Sequence, residues 1–432
     1  MSLLALAGGL VVNAQYERTV TLRQNVNLRA APSADAELIQ TARAGMNFKI
    51  GGRTETGEWV RGILETGAVG WMVNGPTGLT TGELVEIPIT RADAPFTLSP
   101  PPAAIAAPAG TAPDVAVPVA PRRAVGGFGY GGHMAGMDGG AFDWMRRAGM
   151  TWVKKQVRYS DGQSAGGYAE WINRAHENGF QILLGVVGQA GQINNPGYFE
   201  RYAQFNAELA ALGADAIEVW NEPNIDHEWP AGQIDPARYT EMLRLSYNAI
   251  KAANPGTMVI SAAPAPTGAE GAFPGRVMND NRFIAGMAAA GAANYMDCVG
   301  VHYNEGIVPP TARSGDPREP SDYYTRYLPA MIDVYHGAFG GRVPLCFTEL
   351  GYLTPEGLGP LPGAFAWAGN VTLAQQAAWV AGAVNVAQNS RRVRMVIIWN
   401  INFTNYGADP MAGFAIIRPG NTCPACEALA NR

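Results

Sequence analysis

The stretch Ala216-Ile217-Glu218-Val219-Trp220-Asn221-Glu222-Pro223-Asn224 decides how the chain is read. It is a short, β-rich apolar run that stops at Asn-Glu-Pro, so a strand delivers a carboxylate to its C-terminal end. A second stretch, Pro344-Leu345-Cys346-Phe347-Thr348-Glu349-Leu350-Gly351-Tyr352, does the same further along. Outward from these two, strand-like runs begin near Val125, Thr151, Gln181, Ala216, Met258, Cys298, Pro344 and Val393. Helical patterns at 142–148, 169–178, 198–212, 237–253, 283–290, 323–335 and 373–388 lie between them. Strands alternating with helices imply parallel strands joined by right-handed crossovers. Eight such units in about 300 residues predict an α/β fold, the (β/α)8 TIM barrel, whose active sites sit at the C-terminal ends of the strands. A doubly wound open sheet is the alternative. It loses because the glycine-rich run 126–132 leads into no G-x-G-x-x-G helix start with an acidic partner.

The barrel is expected to occupy residues 123–432. Before it, residues 92–122 hold eight Pro and ten Ala in 31 positions. That composition buries no core and predicts an extended, semi-rigid linker. Residues 16–91 carry short β-rich runs at 20–22, 26–29, 47–50, 59–63 and 70–73, punctuated by Gly51-Gly52, Thr56-Gly57 and Thr66-Gly67. So many short strands in so few residues predict a small all-β barrel. The apolar run 3–12 is too short to span a bilayer, which takes about 20 residues. Followed by Val12-Asn13-Ala14-Gln15, it reads as an export signal within residues 1–15 or, since no basic residues precede it, as an apolar N-terminal strand.

Composition narrows the partners. Lys and Arg number 31 against 36 Asp and Glu, for a net charge of −5, which argues against a nucleic-acid backbone as ligand. A hydrophobic fraction of 47% supports a large core and excludes a mainly disordered chain. Of the four cysteines, Cys423 and Cys426 have the spacing of a local disulfide, while Cys298 and Cys346 read as small core residues on adjacent strands. Asp226-His227-Glu228 has a metal-like composition but no companion ligand cluster, so neither metal nor cofactor is expected.

Two carboxylates facing each other across a cleft are what glycosidic-bond cleavage requires: one protonates the leaving oxygen, the other attacks or activates water. Asn221-Glu222-Pro223 on the fourth strand with Thr348-Glu349 on the seventh resembles the clan A retaining glycoside hydrolases. By that resemblance Glu222 is the acid/base, Glu349 the nucleophile, and Asn221 holds the sugar 2-hydroxyl. It further implies that Arg158, ending the second strand, stands near the nucleophile and favours its ionised form. His302 and Tyr303 on the sixth strand would contact nucleophile or sugar, and Trp399 on the eighth would floor the cleaving subsite. His133 at the rim of the first strand is a weaker candidate.

Glu218 shares a strand face with Trp220 and Glu222 if side chains alternate, so it is expected to be buried, paired with Lys154 or Lys155, and structural. The run Asn25-Val26-Asn27-Leu28-Arg29-Ala30-Ala31-Pro32-Ser33, with Gly57-Glu58-Trp59-Val60 and Gly70-Trp71-Met72, resembles bacterial SH3-like domains. Such domains bind cell-wall or other surface ligands, here through Trp59 or Trp71, at least one of which is expected in the core. The expectation is a secreted or cell-surface retaining β-glycosidase acting on an oligo- or polysaccharide. A transglycosylase using the same residues and a non-catalytic carbohydrate-binding barrel are the rival readings.

Overall fold

In a computed structural model, residues 18–33, 35–54, 57–79, 87 and 127–432 are described. The expected signal (1–15), the linker (92–122) and Thr56 lie outside them. The chain divides into two compact units, Met1–Val119 and Ala120–Arg432, each described by itself.

The first unit is all β. Its strands β1 (Arg18–Thr21), β2 (Val26–Arg29), β3 (Leu38–Ala42), β4 (Asn47–Arg53), β5 (Trp59–Leu64) and β6 (Val69–Val73) form one antiparallel sheet in the order β1-β4-β5-β6-β2-β3. Strand β3 was not anticipated, because Leu38 and Ile39 are both exposed and the run lacks alternation. The core is small: Leu28, Phe48, Ile50, Val60 and Met72 are fully buried. Trp71 is buried and Trp59 only half so, which makes Trp71 the core tryptophan of the pair.

The second unit is the eight-stranded parallel barrel. Strands β7 (Gly129–His133), β8 (Trp152–Arg158), β9 (Gln181–Val187), β10 (Ala216–Val219), β11 (Met258–Ser261), β12 (Val299–Tyr303), β13 (Leu345–Leu350) and β14 (Val393–Ile398) run in the order β11-β10-β9-β8-β7-β14-β13-β12. The ring closes between β11 and β12 through an Ile260–Cys298 bridge, with Ser261 N donating to Cys298 O at 3.1 Å and Gly300 N to Ser261 Oγ at 3.0 Å. Helices α1 (Gly139–Arg147), α2 (Ala169–Glu177), α3 (Tyr198–Ala211), α4 (Pro236–Ala253), α5 (Asp280–Ala289), α6 (Leu328–Ala338) and α7 (Leu373–Ser390) connect successive strands. The sixth helix begins at Leu328, five residues later than expected. Pro329 occupies its first turn, where a missing N–H costs nothing, and residues 324–326 form a separate short turn.

The first barrel strand is made of the glycine-rich run; Val125, near which a strand was expected to begin, lies outside the described residues. A Cβ at Gly131 would lie 1.8 Å from the Trp152 carbonyl oxygen, and one at Gly129 would meet the Trp152 indole at 2.5 Å. Glycine is therefore what lets β7 pack beside Trp152, which closes the barrel floor with Leu183, Met258, Ile260, Met395 and Ile397.

Two disulfides are present. Cys423–Cys426 is the local one expected. Cys298 and Cys346, read from the sequence as free core residues, form a second, joining β13 to the start of β12 across 48 residues. Cys346 pairs in register with Gly300, two residues beyond Cys298, yet the two cysteines lie 5.8 Å apart at Cα on adjacent strands, close enough to bond. Replacing both Cys298 and Cys346 with Ala should lower unfolding free energy by about 2–4 kcal/mol, the range for a cross-link of this loop size. A denaturation midpoint unchanged from wild type would show that the bond adds nothing.

Candidate active site

Above its apolar floor the barrel interior turns polar. Lys154 on β8 and Glu218 on β10 point inward at the same level, with Lys154 Nζ 2.8 Å from Glu218 Oε2 and both side chains almost fully buried. Of the two lysines considered for Glu218, Lys154 is the partner. Lys155 donates instead to the Met134 and Ala135 carbonyls and lies over the Trp171 ring. Gly185 makes room for the pair, since a Cβ there would stand 3.1 Å from both Glu218 Oε2 and Lys154 Cε. Lys154 Nζ also reaches the Thr348 carbonyl at 3.2 Å and Glu349 Oε1 at 3.6 Å. Burial disfavours the ammonium, yet the charges of Glu218 and Glu349 outweigh it and hold the Lys154 pKa above its ordinary value.

Neither glutamate reaches the cleft by simple alternation. On β10, Trp220 and Glu222 follow the strand with positive φ, 76° and 40°. The left-handed turn at Trp220, uncommon for a bulky residue, throws its ring outward among Tyr198, Tyr202 and Trp229. So Glu218 and Trp220 do not share a face, contrary to the expectation. The turn is held by Trp220 N donating to Val186 O and Tyr202 Oη, and by the indole N–H donating to Glu228 O. On β13 a register irregularity between Val301 and His302 pairs His302 with Glu349, skipping Thr348. Strict alternation from Cys346 would turn Thr348 inward and Glu349 away; the bulge re-aims the carboxylate.

His302 lies between the two acids. Its Nδ1 is 2.9 Å from Glu222 Oε1 and 3.8 Å from Glu349 Oε2, while its Nε2 faces Glu218 Oε1 at 4.0 Å. Burial opposes the imidazolium, but Glu349, Glu222 and Glu218 together raise the His302 pKa above its usual value. Two oxygens within 2.9 and 3.8 Å of one nitrogen are no more than about 7 Å apart, which admits the 5–5.5 Å carboxyl spacing of a retaining glycosidase. The Glu222 and Glu349 side chains keep 23% and 12% exposure, whereas His302, Lys154 and Glu218 beneath them keep 1–2%. Only the two acids open onto solvent.

The other candidates divide. Asn221 is half-buried, with Nδ2 3.4 Å from Glu228 Oε1. Trp399 stands at the rim, its ring 4.9 Å from His133 and 5.0 Å from Phe403, and a cis peptide bond links it to Asn400. His133 is buried, and burial followed by the Lys154 and Lys155 charges lowers its pKa well below the usual value. Arg158 is a correction: it pairs with Glu228 at 3.2 Å, its side chain 46% exposed, and the cation beside Glu349 is Lys154. Four strand positions, about 13 Å, separate the two along β8. Tyr303 is a second correction. Adjacent to inward His302, it points out of the barrel, donates to the Arg326 carbonyl and packs on Tyr352.

Sequence reasoning passed over Asn304, whose Nδ2 donates to Glu349 Oε2 at 3.1 Å. The period of two that excludes Tyr303 also selects Asn304, so the signal was present. It also set aside Glu228, which is buried against both Arg158 and Asn221. Two loops, 305–321 and 353–369, meet where the Arg318 guanidinium lies 4.8 Å from the Trp367 ring centroid. Among the described residues no His/Cys/Asp/Glu cluster of metal-binding form occurs, and no helix is long and apolar enough to cross a membrane.

No family model matches the sequence, and no curated protein does. Solved structures of low identity share part of its path. An endoglucanase of the hyperthermophilic Thermotoga maritima is 16% identical with a TM-score of 0.43, covering 70% of this chain and 96% of its own. A broad-specificity GH5-4 endoglucanase from Clostridium longisporum is 14% identical with a TM-score of 0.45, covering 67% and 84%. A GH10 structure from Paenibacillus barcinonensis is 14% identical with a TM-score of 0.47, covering 71% and 95%. At these values the likenesses add nothing to what the strand order already shows.

The two cations of β8 should separate cleanly on mutation. Lys154→Met leaves Glu218 and Glu349 without their buried counter-charge and should destabilise the barrel by about 3–5 kcal/mol. Arg158→Met removes a half-exposed pair and should cost under about 1 kcal/mol. Urea denaturation of both variants checks the order; equal losses would reverse the placement made here.

Proposed function

We propose that the barrel is a retaining glycoside hydrolase that cleaves β-glycosidic bonds of an oligo- or polysaccharide by double displacement. The observation that carries the reading is the convergence of Glu222 and Glu349, from opposite sides of the barrel mouth, on the single nitrogen Nδ1 of His302. Glu349 is the nucleophile: Lys154 and Asn304 hold its carboxylate ready to attack the anomeric carbon. Glu222 protonates the departing oxygen and then, as base, takes a proton from the water that releases the glycosyl-enzyme. Trp399 offers an aromatic face to a sugar ring, and Asn221, pinned by Glu228, is placed for a hydroxyl. Arg158 and Tyr303 have no part in this scheme.

The N-terminal unit is read as an SH3-like accessory module that holds the enzyme on a wall or surface polymer, joined by the Pro/Ala linker. Export to an extracellular or cell-surface location fits two disulfides, which persist in oxidising compartments.

Two experiments follow. Glu349→Gly should abolish glycosyl-enzyme formation, and azide should restore turnover of an activated β-glycoside to give an α-configured product. Glu222→Ala should slow unactivated substrates by about 10²- to 10⁴-fold, the usual worth of an acid/base group. On an aryl glycoside with a good leaving group, azide should then yield a β-configured product. The same anomer from both variants would overturn the assignment of roles. Separately, deleting residues 1–122 should leave turnover of soluble substrate near wild type and reduce retention on insoluble polymer, measured by co-sedimentation.

A further inference from the structure

Beneath the two acids lie polar atoms that the double-displacement scheme leaves unused. Glu218 Oε1 and His302 Nε2 are both buried and have no hydrogen-bond partner, yet they face each other at 4.0 Å. Buried polar atoms are rarely left unpaired, and catalytic hydrogen bonds are commonly long in a ligand-free site. The other oxygen of Glu218 is held by Lys154 at 2.8 Å, which leaves Oε1 to face Nε2. The remaining groups around the imidazole are accounted for element by element. His133 comes from β7, Lys154 from β8, Glu218 from β10, Glu222 from the turn after it, and Glu349 from β13. Strands β9 and β11 carry no titratable residue, and the inward positions Met395 and Ile397 of β14 are apolar. At the rim, Glu228 and Asp409 both sense the charge of Glu222.

We propose that Glu218 is a positioning residue for the acid/base: it fixes His302 with Nε2 protonated, so that Nδ1 and Glu222 Oε1 share one further proton. The inference rests on the glycosidase reading. An imidazole whose Nε2–H is committed to Glu218 meets Glu222 with Nδ1, and at 2.9 Å that contact must hold a proton on one side or the other. That proton goes to the leaving-group oxygen as the glycosidic bond breaks and Glu349 bonds the anomeric carbon. In the second half, water adds its oxygen to that carbon, Glu349 leaves as carboxylate, and the water proton returns to the Glu222–His302 pair. The Lys154–Glu218–His302–Glu222 chain thus holds the pair in place to receive the water proton that reloads the acid at each turnover.

Glu218→Gln tests this in the full-length chain. Removing a negative charge 4.0 Å from the imidazole should move the basic limb of the kcat/KM profile down by about one to three pH units, depending on screening. The shift should be large for substrates with poor leaving groups. It should vanish for a dinitrophenyl glycoside, whose departure needs no proton. A merely structural role would instead lower both substrates equally and leave the limb in place. Should the variant fail to fold, the wild-type protein decides. With ¹⁵N-histidine labelling, the five histidines give long-range ¹H–¹⁵N patterns, and His302 is assigned by loss of its signals in His302→Gln. A protonated Nε2 from about pH 5 to pH 8 supports the proposal; a bare Nε2 overturns it. The nitrogen spectra need no turnover, so a chain that shows protonated Nε2 but cleaves no glycoside would sink the glycosidase reading while leaving the Glu218–His302 hydrogen bond established.

Discussion

A lysine inside a closed barrel is the constraint around which the upper half of this molecule is arranged. Lys154 cannot shed its charge into solvent, so carboxylates must come to it, and Glu218 and Glu349 do. Burying three charges costs desolvation that their attraction offsets only where geometry is good. Gly185 supplies the space, the Thr348 carbonyl accepts a hydrogen bond from the ammonium, and the β13 irregularity brings Glu349 round. The layer so formed is closed below, where Lys154, Glu218 and His302 are buried, and open above, where Glu222 and Glu349 reach solvent.

Much of this was legible from the chain. Strand–helix alternation is a strong signal because buried parallel strands are short apolar runs, and the two strands ending in glutamate stood out against it. What escaped reading involves departures from regularity. A positive φ at Trp220 has no sequence signature, so the expected common face of Glu218 and Trp220 failed, although Lys154 was one of the two partners expected for Glu218. The bulge at Glu349 is equally silent, since strict alternation selects Thr348. Arg158 was chosen because it ends its strand, but height along the strand decides reach, and Lys154 sits lower where its flexible stem extends upward. Tyr303 and Asn304 are different: the period of two separates them correctly and needed only to be applied. Cys298 and Cys346 were seen as neighbours, and closeness in a parallel pair is itself the condition for bonding.

The place where the barrel closes has a mechanical meaning. Every other strand pair shares a ladder, whereas β11 and β12 are held by one bridge and a few hydrogen bonds. Glu222 follows β10 on one side of that joint; His302 and Glu349 stand on the other. The contact of His302 with Glu222 therefore spans the weakest line in the ring. Local opening is expected to start along this line before the ring unravels, parting Glu222 from His302 and Glu349. Because the Cys298–Cys346 bond ties β12 to β13, those strands swing as one leaf and the joint reseals in register. Partial opening at this joint is thus a smaller event than loss of the fold, because the remaining ladders of the ring stay in place.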